Sequence, residues 1–455
     1  MHLAADPVLR GDPDQHRGVD AHRRRLHLAA VPHGGAAARH ARRLGGTHAQ
    51  LRLLLELLPV RPGARQRPDA AADGHRLQLH RPGIERLRRS DGRQHAHLSA
   101  GPTADDLRAA VAGAWNHRRC RQVTTTSVRA RFLGDGRIDF ERATLGPVAN
   151  GQVRVRVDVC ALCGSDKRLL RSGSPVVPGH EIAGTVVDVG ADVTVPVGTR
   201  GIVYIPVFCG TCRRCAAGRT NQCLHLRELI GWQRDGGFAE HVDVPARCLL
   251  PVPDDVPLDT AVLGLDTVGT AAHALRLWQR TQPDGVDRAL VIGAGPLGLG
   301  VVAVAGAFGV GEVDAFDPHE GRLATAVELG ARAAGDLAAE NQYDLVVEVS
   351  GAAAARETAQ RVVAPGGAVI ALGESDEPYT MPATPRWRRT DCYTVRSFYF
   401  PTSEVEANWD LLRGHGAALR DRLTVPVTLA ELPDAFARFV AGDYFKPCIV
   451  SEDAS

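Results

Sequence analysis

The run RALVIG ends at Gly293, the first residue of GAGPLG, so Gly293, Gly295 and Gly298 stand in G-x-G-x-x-G spacing behind a short apolar, strand-like segment. Few features restrict a fold more. A strand that turns on glycines into a helix begins a βαβ unit, and the glycines let backbone approach a pyrophosphate seated on the positive end of that helix. The runs EVDAF, DLVVEV and GAVIAL follow at helix-length intervals, which predicts an α/β domain with a doubly wound parallel sheet from about residue 270. EVDAF leads to Asp317, nineteen residues after Gly298, where an acid hydrogen-bonds the adenosine ribose. Such an acid repels a 2′-phosphate, so NAD is favoured over NADP, while Arg322 leaves that choice open. Pro296 and Leu297 complete the turn as candidate cofactor contacts. The plain alternative is a glycine-rich turn that holds no nucleotide.

Upstream lies CGTCRRCAAGRTNQC, which holds four of the ten cysteines in fifteen residues as C-x2-C-x2-C-x7-C. Disulfides across two-residue gaps close poorly, and no secretory signal peptide places the chain in an oxidising compartment. Four thiolates at this spacing instead enclose Zn²⁺ with no open position, a structural site formed by Cys209, Cys212, Cys215 and Cys223. An iron–sulfur run has x3 before its last cysteine and a proline after it, unlike Cys223 and Leu224. Arg213, Arg214 and Arg219 could serve a nucleic-acid-binding ribbon but read more simply as a solvated loop face.

A second constellation is dispersed. Cys163 in CGSD, His180 in PGHE and Asp266 in GLDTVGTAAHAL supply a soft, a borderline and a hard ligand, and three protein ligands with one open place make a catalytic zinc site. Taken singly, such a cysteine is a small core residue and such a histidine a satisfied polar group. The surrounding runs, VRARFL, GQVRVRVDVCAL and EIAGTVVDVGADVTVPVGTRGIVYI, are Val-rich with Gly and Pro punctuation and predict an antiparallel or barrel-like β region. TVPVTLAELPDAFARFV and KPCIV read as strand, helix and strand at the C-terminal end.

The first 120 residues are of a different kind. They hold 21 Arg, no Lys and 11 acidic residues, a net charge of +10, against 33 basic and 41 acidic residues in the remainder, a net of −8. No Phe or Tyr occurs there, too little apolar bulk to offset chain entropy, so residues 1–126 are expected to be disordered or not part of the native protein. A basic nucleic-acid arm is the alternative from another class, weakened by the lack of aromatics that stack on bases. The longest apolar run, Ala289 to Gly311, is broken by seven glycines, which argues against a transmembrane span and for a cytoplasmic protein.

In chain order, CALCGSD, VVPGHEIAGTVVDVG, the four-cysteine window, GGFAEHV and GAGPLG resemble the medium-chain dehydrogenase/reductase family in its zinc-dependent alcohol dehydrogenase branch, over about residues 127–455. The resemblance implies a β-rich GroES-like catalytic domain, residues 127–275 and 415–455, and a Rossmann domain, residues 276–414. It implies one catalytic and one structural zinc, NAD, and a homodimer or homotetramer. Cys163 and His180 match the first two catalytic zinc ligands, and Glu181 the acid that approaches the metal. Asp266 falls where polyol and threonine dehydrogenases carry Glu, and an Asp there resembles the glutathione-independent formaldehyde dehydrogenases. Ser165 matches the hydroxyl that takes the substrate proton, and Asp166 the carboxylate that orients His180. Arg168 departs from the family: many relatives place a His there, and a guanidinium cannot shuttle a proton near pH 7. The implied reaction is hydride transfer between a secondary alcohol, such as a polyol, sugar or cyclitol, and NAD; an aldehyde- or simple-alcohol-oxidising enzyme is the alternative.

Overall fold

The computed structural model describes residues 126–381 and 384–451. The expectations for the first 125 residues, disorder, non-native origin or a basic arm, lie outside the described residues.

The β region is built on one long central strand. After the antiparallel hairpin β1 (Thr126–Gly134) and β2 (Arg137–Thr144), β3 (Gln152–Ala161) runs almost wholly buried, because its valines alternate with residues that find partners. Arg154, buried within β3, forks both oxygens of Asp243 at 2.8 Å, a pairing that the strand register itself sets. The neighbours are β4 (Glu181–Val189), β5 (Arg200–Val203), β6 (His241–Pro245) and β7 (Leu249–Pro251). The pairing of β3 with β4 sets Ala161 opposite Glu181, which brings the segments bearing Cys163 and His180 side by side.

The second sheet consists of β8 (Val286–Ile292), β9 (Val310–Phe316), β10 (Arg332–Ala333), β11 (Tyr343–Glu348), β12 (Val363–Ala371) and β13 (Tyr393–Arg396). Its order is β10-β9-β8-β11-β12-β13 and every pair is parallel, so the first strand lies inside and the order reverses between β8 and β11. That reversal is the dinucleotide-binding crevice of a doubly wound sheet. The chain then returns through β14 (Thr424–Val427) and β15 (Lys446–Val450), which are parallel to each other, while β15 pairs antiparallel with β3. The first sheet is therefore seven-stranded and antiparallel, as the sequence suggested for the antiparallel or barrel-like region, apart from one βαβ return formed by the C-terminal strand–helix–strand stretch.

The helices that frame the site are α1 (Asp166–Ser172), α2 (Ala271–Gln279), α3 (Pro296–Val304), α4 (Glu320–Glu328), α5 (Ala353–Val362), α6 (Val405–Leu423) and α7 (Leu432–Ala441). One apolar core runs without a break from Phe132 in the hairpin through Leu263 and Trp278 to Leu345 in the parallel sheet. Among the described residues no helix is long and apolar enough to cross a membrane.

Candidate active site and metal centres

Two groups of donors emerge, built differently. In the first, the sulfurs of Cys209, Cys212, Cys215 and Cys223 lie within 4.8 Å of one another. The loop curls so that its own amides face the sulfurs. The N–H groups of Thr211 and Cys212 donate to Cys209 Sγ at 3.4 and 3.3 Å, and those of Cys209 and His225 to Cys223 Sγ at 3.3 and 3.4 Å. The bonds from Thr211 and Cys212 hold the Cys209 thiol down to about 5, while burial pushes Cys215 up to about 12. All nine described cysteines are free of disulfides. Four clustered sulfurs bonded by backbone amides suit a thiolate-bound metal.

In the second, donor atoms of Cys163, His180, Glu181 and Asp266 lie within 4.8 Å. Cys163 follows β3, His180 and Glu181 enter β4, and Asp266 opens a turn of π-helix, Asp266–Thr270, in which the Thr270 N–H reaches the Leu265 carbonyl at 3.2 Å. Such turns are rare and recur at functional sites. One Asp266 oxygen lies 3.5 Å from both Cys163 Sγ and His180 Nε2. The other, like one oxygen of Glu181, is buried without a hydrogen-bond partner among the described residues. A buried carboxylate oxygen left alone is costly, so these atoms call for a cation between them. Soft sulfur, imidazole and carboxylate suit zinc.

Supporting residues fix these donors. Asp166 is fully buried, accepts the Cys163 N–H at 2.9 Å and lies 3.2 Å from His180 Nδ1. Lys446, at the start of β15, donates to Glu181 at 2.7 Å with both groups buried. Burial pushes the Cys163 thiol up and would lower His180, but Asp166, Asp266 and Cys163 lift the imidazole well above its usual range. Burial also raises Glu181, to about 7, against the pull of Lys446, while His180 holds Asp266 below its usual value in spite of burial. Sequence reasoning missed Lys446. The signal was a lysine opening a strand that is otherwise core, since lysines are seldom buried unless paired.

This cluster opens into a cleft of about 560 Å³ that also reaches the glycine turn. Cys163, Ser165, Glu181 and Asp266 line one part, and Gly293, Gly295, Pro296, Leu297, Asp317 and Arg322 another. Gly293 has φ +104°, the left-handed region, and a Cβ at Gly298 would overlap the Gly293 carbonyl. Around Gly295 nothing lies within 4 Å of the place a Cβ would take, which leaves room for a ligand at the N-terminus of α3. Gly300 in α3 abuts the Thr267 carbonyl, so the cofactor helix rests directly on the π-turn that carries Asp266. Asp317 accepts the Ala294 and His319 N–H groups at 2.8 and 2.9 Å. Ser165 caps no helix amide with its side chain and lines the cleft. Arg168 stacks over Trp232, 5.1 Å from the ring centre, and pairs with Glu374 at 3.2 Å and Asp376 at 3.5 Å.

Two families match this chain: the alcohol dehydrogenase GroES-like domain over residues 149–254 and the zinc-binding dehydrogenases over residues 296–413. The L-threonine 3-dehydrogenase of Chelativorans sp. is 33% identical over 255 residues, 51% of this chain and 72% of that one. The chain belongs to the zinc-dependent alcohol dehydrogenases of the medium-chain dehydrogenase/reductase family. It is accordingly an NAD-dependent alcohol dehydrogenase that uses zinc. The L-threonine 3-dehydrogenase of Bacillus velezensis is 32% identical over 259 residues, 52% of this chain and 73% of that one. Among solved structures, an alcohol dehydrogenase of Thermus sp. ATN1 is 25% identical with a TM-score of 0.65. A zinc-binding dehydrogenase of Sinorhizobium meliloti bound to NADP is 26% identical with a TM-score of 0.64. Each covers 72% of this dehydrogenase and the whole of its own chain.

Proposed function

We propose that this dehydrogenase oxidises a secondary alcohol of the polyol, cyclitol or hydroxy-amino-acid type in the cleft between its two sheets, with Cys163, His180 and Asp266 as ligands of the catalytic zinc. The observation that carries the reading is the mixed-donor cluster, with its two unpartnered carboxylate oxygens, opening into the cleft that reaches the glycine turn. Zinc, when bound, supplies Lewis-acid polarisation of the alcohol, and NAD the hydride acceptor. Ser165 receives the alcohol proton: it lines the cleft and its side chain is not engaged as a helix cap. Asp166 holds His180 in orientation through Nδ1, and Lys446 keeps Glu181 tethered beside the ligands. Arg168 has no acceptor and cannot carry the proton further, so it leaves to water at the cleft mouth. Glu374 and Asp376 occupy the Arg168 guanidinium, which weighs against its binding an anionic substrate group.

Cys209, Cys212, Cys215 and Cys223 hold the structural zinc, outside the cleft. Residues 127–275 and 415–455 form the catalytic domain and residues 276–414 the cofactor domain, in a cytoplasmic homodimer or homotetramer. The threonine dehydrogenase relatives add L-threonine to the polyols and cyclitols as a substrate to try. NADH formation over a panel of these, with ethanol and formaldehyde as the simple alternatives, tests the reading. Turnover is expected on at least one secondary alcohol, and turnover of the simple substrates alone would overturn it.

A further inference from the structure

After β13 the chain runs Ser397, Phe398 and Tyr399 along the cleft, whose lining also includes Ser165 and Asp266. Tyr399 has φ +43°, in the left-handed region, where so bulky a residue is an outlier. The strain is held from both sides. Asn221 Nδ2 donates to the Phe398 carbonyl at 2.9 Å, and the buried Tyr204 hydroxyl donates to the Phe400 carbonyl at 2.6 Å. The Phe400 ring packs so closely on Gly269 that a Cβ there would overlap it, which seats the segment on the π-turn that carries Asp266. Backbone strain that the surroundings enforce clusters at active sites and ligand clamps.

The strained position bears a half-buried phenol. Its ring stands edge to face against Phe398 with centroids 4.5 Å apart. Burial pushes the phenol well above its usual range, and the charge of Asp266 adds to this while that of His180 opposes it, so the donor cluster is within electrostatic reach. The group stays protonated and is both a donor and an acceptor. Tyr204 and Tyr343 have protein partners for their hydroxyls, whereas among the described residues the Tyr399 hydroxyl makes no hydrogen bond. A desolvated hydroxyl without a partner costs free energy that a polar group of a substrate recovers. We propose that Tyr399 is a specificity-determining residue, whose phenol hydrogen-bonds the hydroxyl or ammonium on the carbon next to the reacting carbinol. An alcohol that lacks this neighbouring group leaves the phenol unpartnered and reacts more slowly. The inference rests on the secondary-alcohol reading given above. The other group that the ring could meet in the cleft is the nicotinamide, and the test separates the two.

The probes are three pairs that differ in that one group: butane-2,3-diol and butan-2-ol, L-threonine and 3-hydroxybutyrate, trans-cyclohexane-1,2-diol and cyclohexanol. Values of kcat and KM with NAD are measured on the zinc-loaded full chain, as wild type and as Tyr399→Phe, with NADH affinity read by calorimetry. In the wild type, kcat/KM is expected to favour the bifunctional member of at least one pair by about tenfold or more, as a site built to bond a hydroxyl rejects the analogue without it. Tyr399→Phe removes the hydroxyl and keeps the ring, and is expected to shrink that ratio by about fivefold or more through KM of the bifunctional member. NADH affinity is not expected to follow. A variant that slows both members equally overturns the proposal and assigns Tyr399 to packing; one that weakens NADH overturns it in favour of the cofactor. A variant that changes nothing, or a wild type that treats both members of every pair alike, also overturns it while leaving the secondary-alcohol reading intact. A wild type that turns over none of the six fails that reading itself, and the inference with it.

Discussion

The four-cysteine loop and the cleft cluster are both metal-type centres, yet they differ in what surrounds their donors. In the loop, every donor is a sulfur, several sulfurs accept backbone amides, and none lines the cleft. In the cleft cluster, the donors are of three chemical kinds, two carboxylate oxygens lack hydrogen-bond partners among the described residues, and the group opens into the cleft that reaches the cofactor turn. Saturated, like donors suit a metal that only holds chain together, and an unsaturated, mixed set suits one that must also accept a substrate oxygen. The difference teaches that cysteine content alone does not mark the centre proposed to do chemistry; the unsatisfied oxygens and the cleft do.

If so, the two centres fail differently. Asp266→Ala should produce the largest effect, a loss of turnover of about a thousandfold or more with the melting temperature little changed, read from NADH formation and calorimetry. Should that variant melt far below the wild type, the cleft centre is structural too and the contrast breaks. Cys212→Ser should do the reverse and destabilise by about 4 kcal/mol or more through loss of the loop's metal, seen as early thermal unfolding, with turnover of the folded fraction mostly kept.

Lys446→Met falls between these, because it leaves Glu181 buried and uncompensated next to the ligands. A loss of roughly 3–5 kcal/mol is expected, and the double variant Lys446→Met/Glu181→Gln should recover part of it in chemical denaturation. No recovery would mean that Lys446 acts by packing alone.

The smallest effect concerns the bridge between the centres. Asn221, inside the cysteine loop, approaches His273 Nε2 at 3.2 Å, and His273 Nδ1 meets Glu404 at 3.0 Å, with Arg276 completing the group at 2.8 Å. His273 lies on α2, which continues the π-turn of Asp266. Burial would raise the Glu404 carboxyl, but His273 and Arg276 hold it below its usual value. A depressed carboxyl contributes stability that is present above its unfolded value, near 4.3, and lost as pH falls through the lower folded value. Glu404→Gln should therefore cost about 1 kcal/mol at pH 7 and flatten the acid limb of the stability profile below about pH 4. An unchanged acid limb would show that the bridge carries no charge-dependent stability.

What could be read from sequence follows the same division. The cysteine window and GAGPLG are local, so spacing alone exposes them, and the strand–helix alternation gives the parallel sheet because both its faces are covered and its strands read as apolar runs. Cys163, His180 and Asp266 are not local. Cys163 and Asp266 lie 103 residues apart, and what joins Cys163 to His180 is the β3–β4 register, so residue type alone marked each of them weakly and only the family resemblance joined them into one site. Lys446 and the Asn221–His273–Glu404 bridge had no signal of that kind, since their partners lie 265 and 131 residues away for the pairs Lys446–Glu181 and His273–Glu404. The parallel pairing of β14 and β15 escaped for a related reason: one short strand–helix–strand stretch does not say which sheet it joins.

The most direct test of the contrast is zinc per chain by elemental analysis on the wild type, Asp266→Ala and Cys212→Ser, each purified folded. The account predicts two zincs in the wild type and about one in each variant, with activity lost only in Asp266→Ala. One zinc in the wild type, retained in Asp266→Ala, would contradict it and leave the cysteine loop as the sole metal centre.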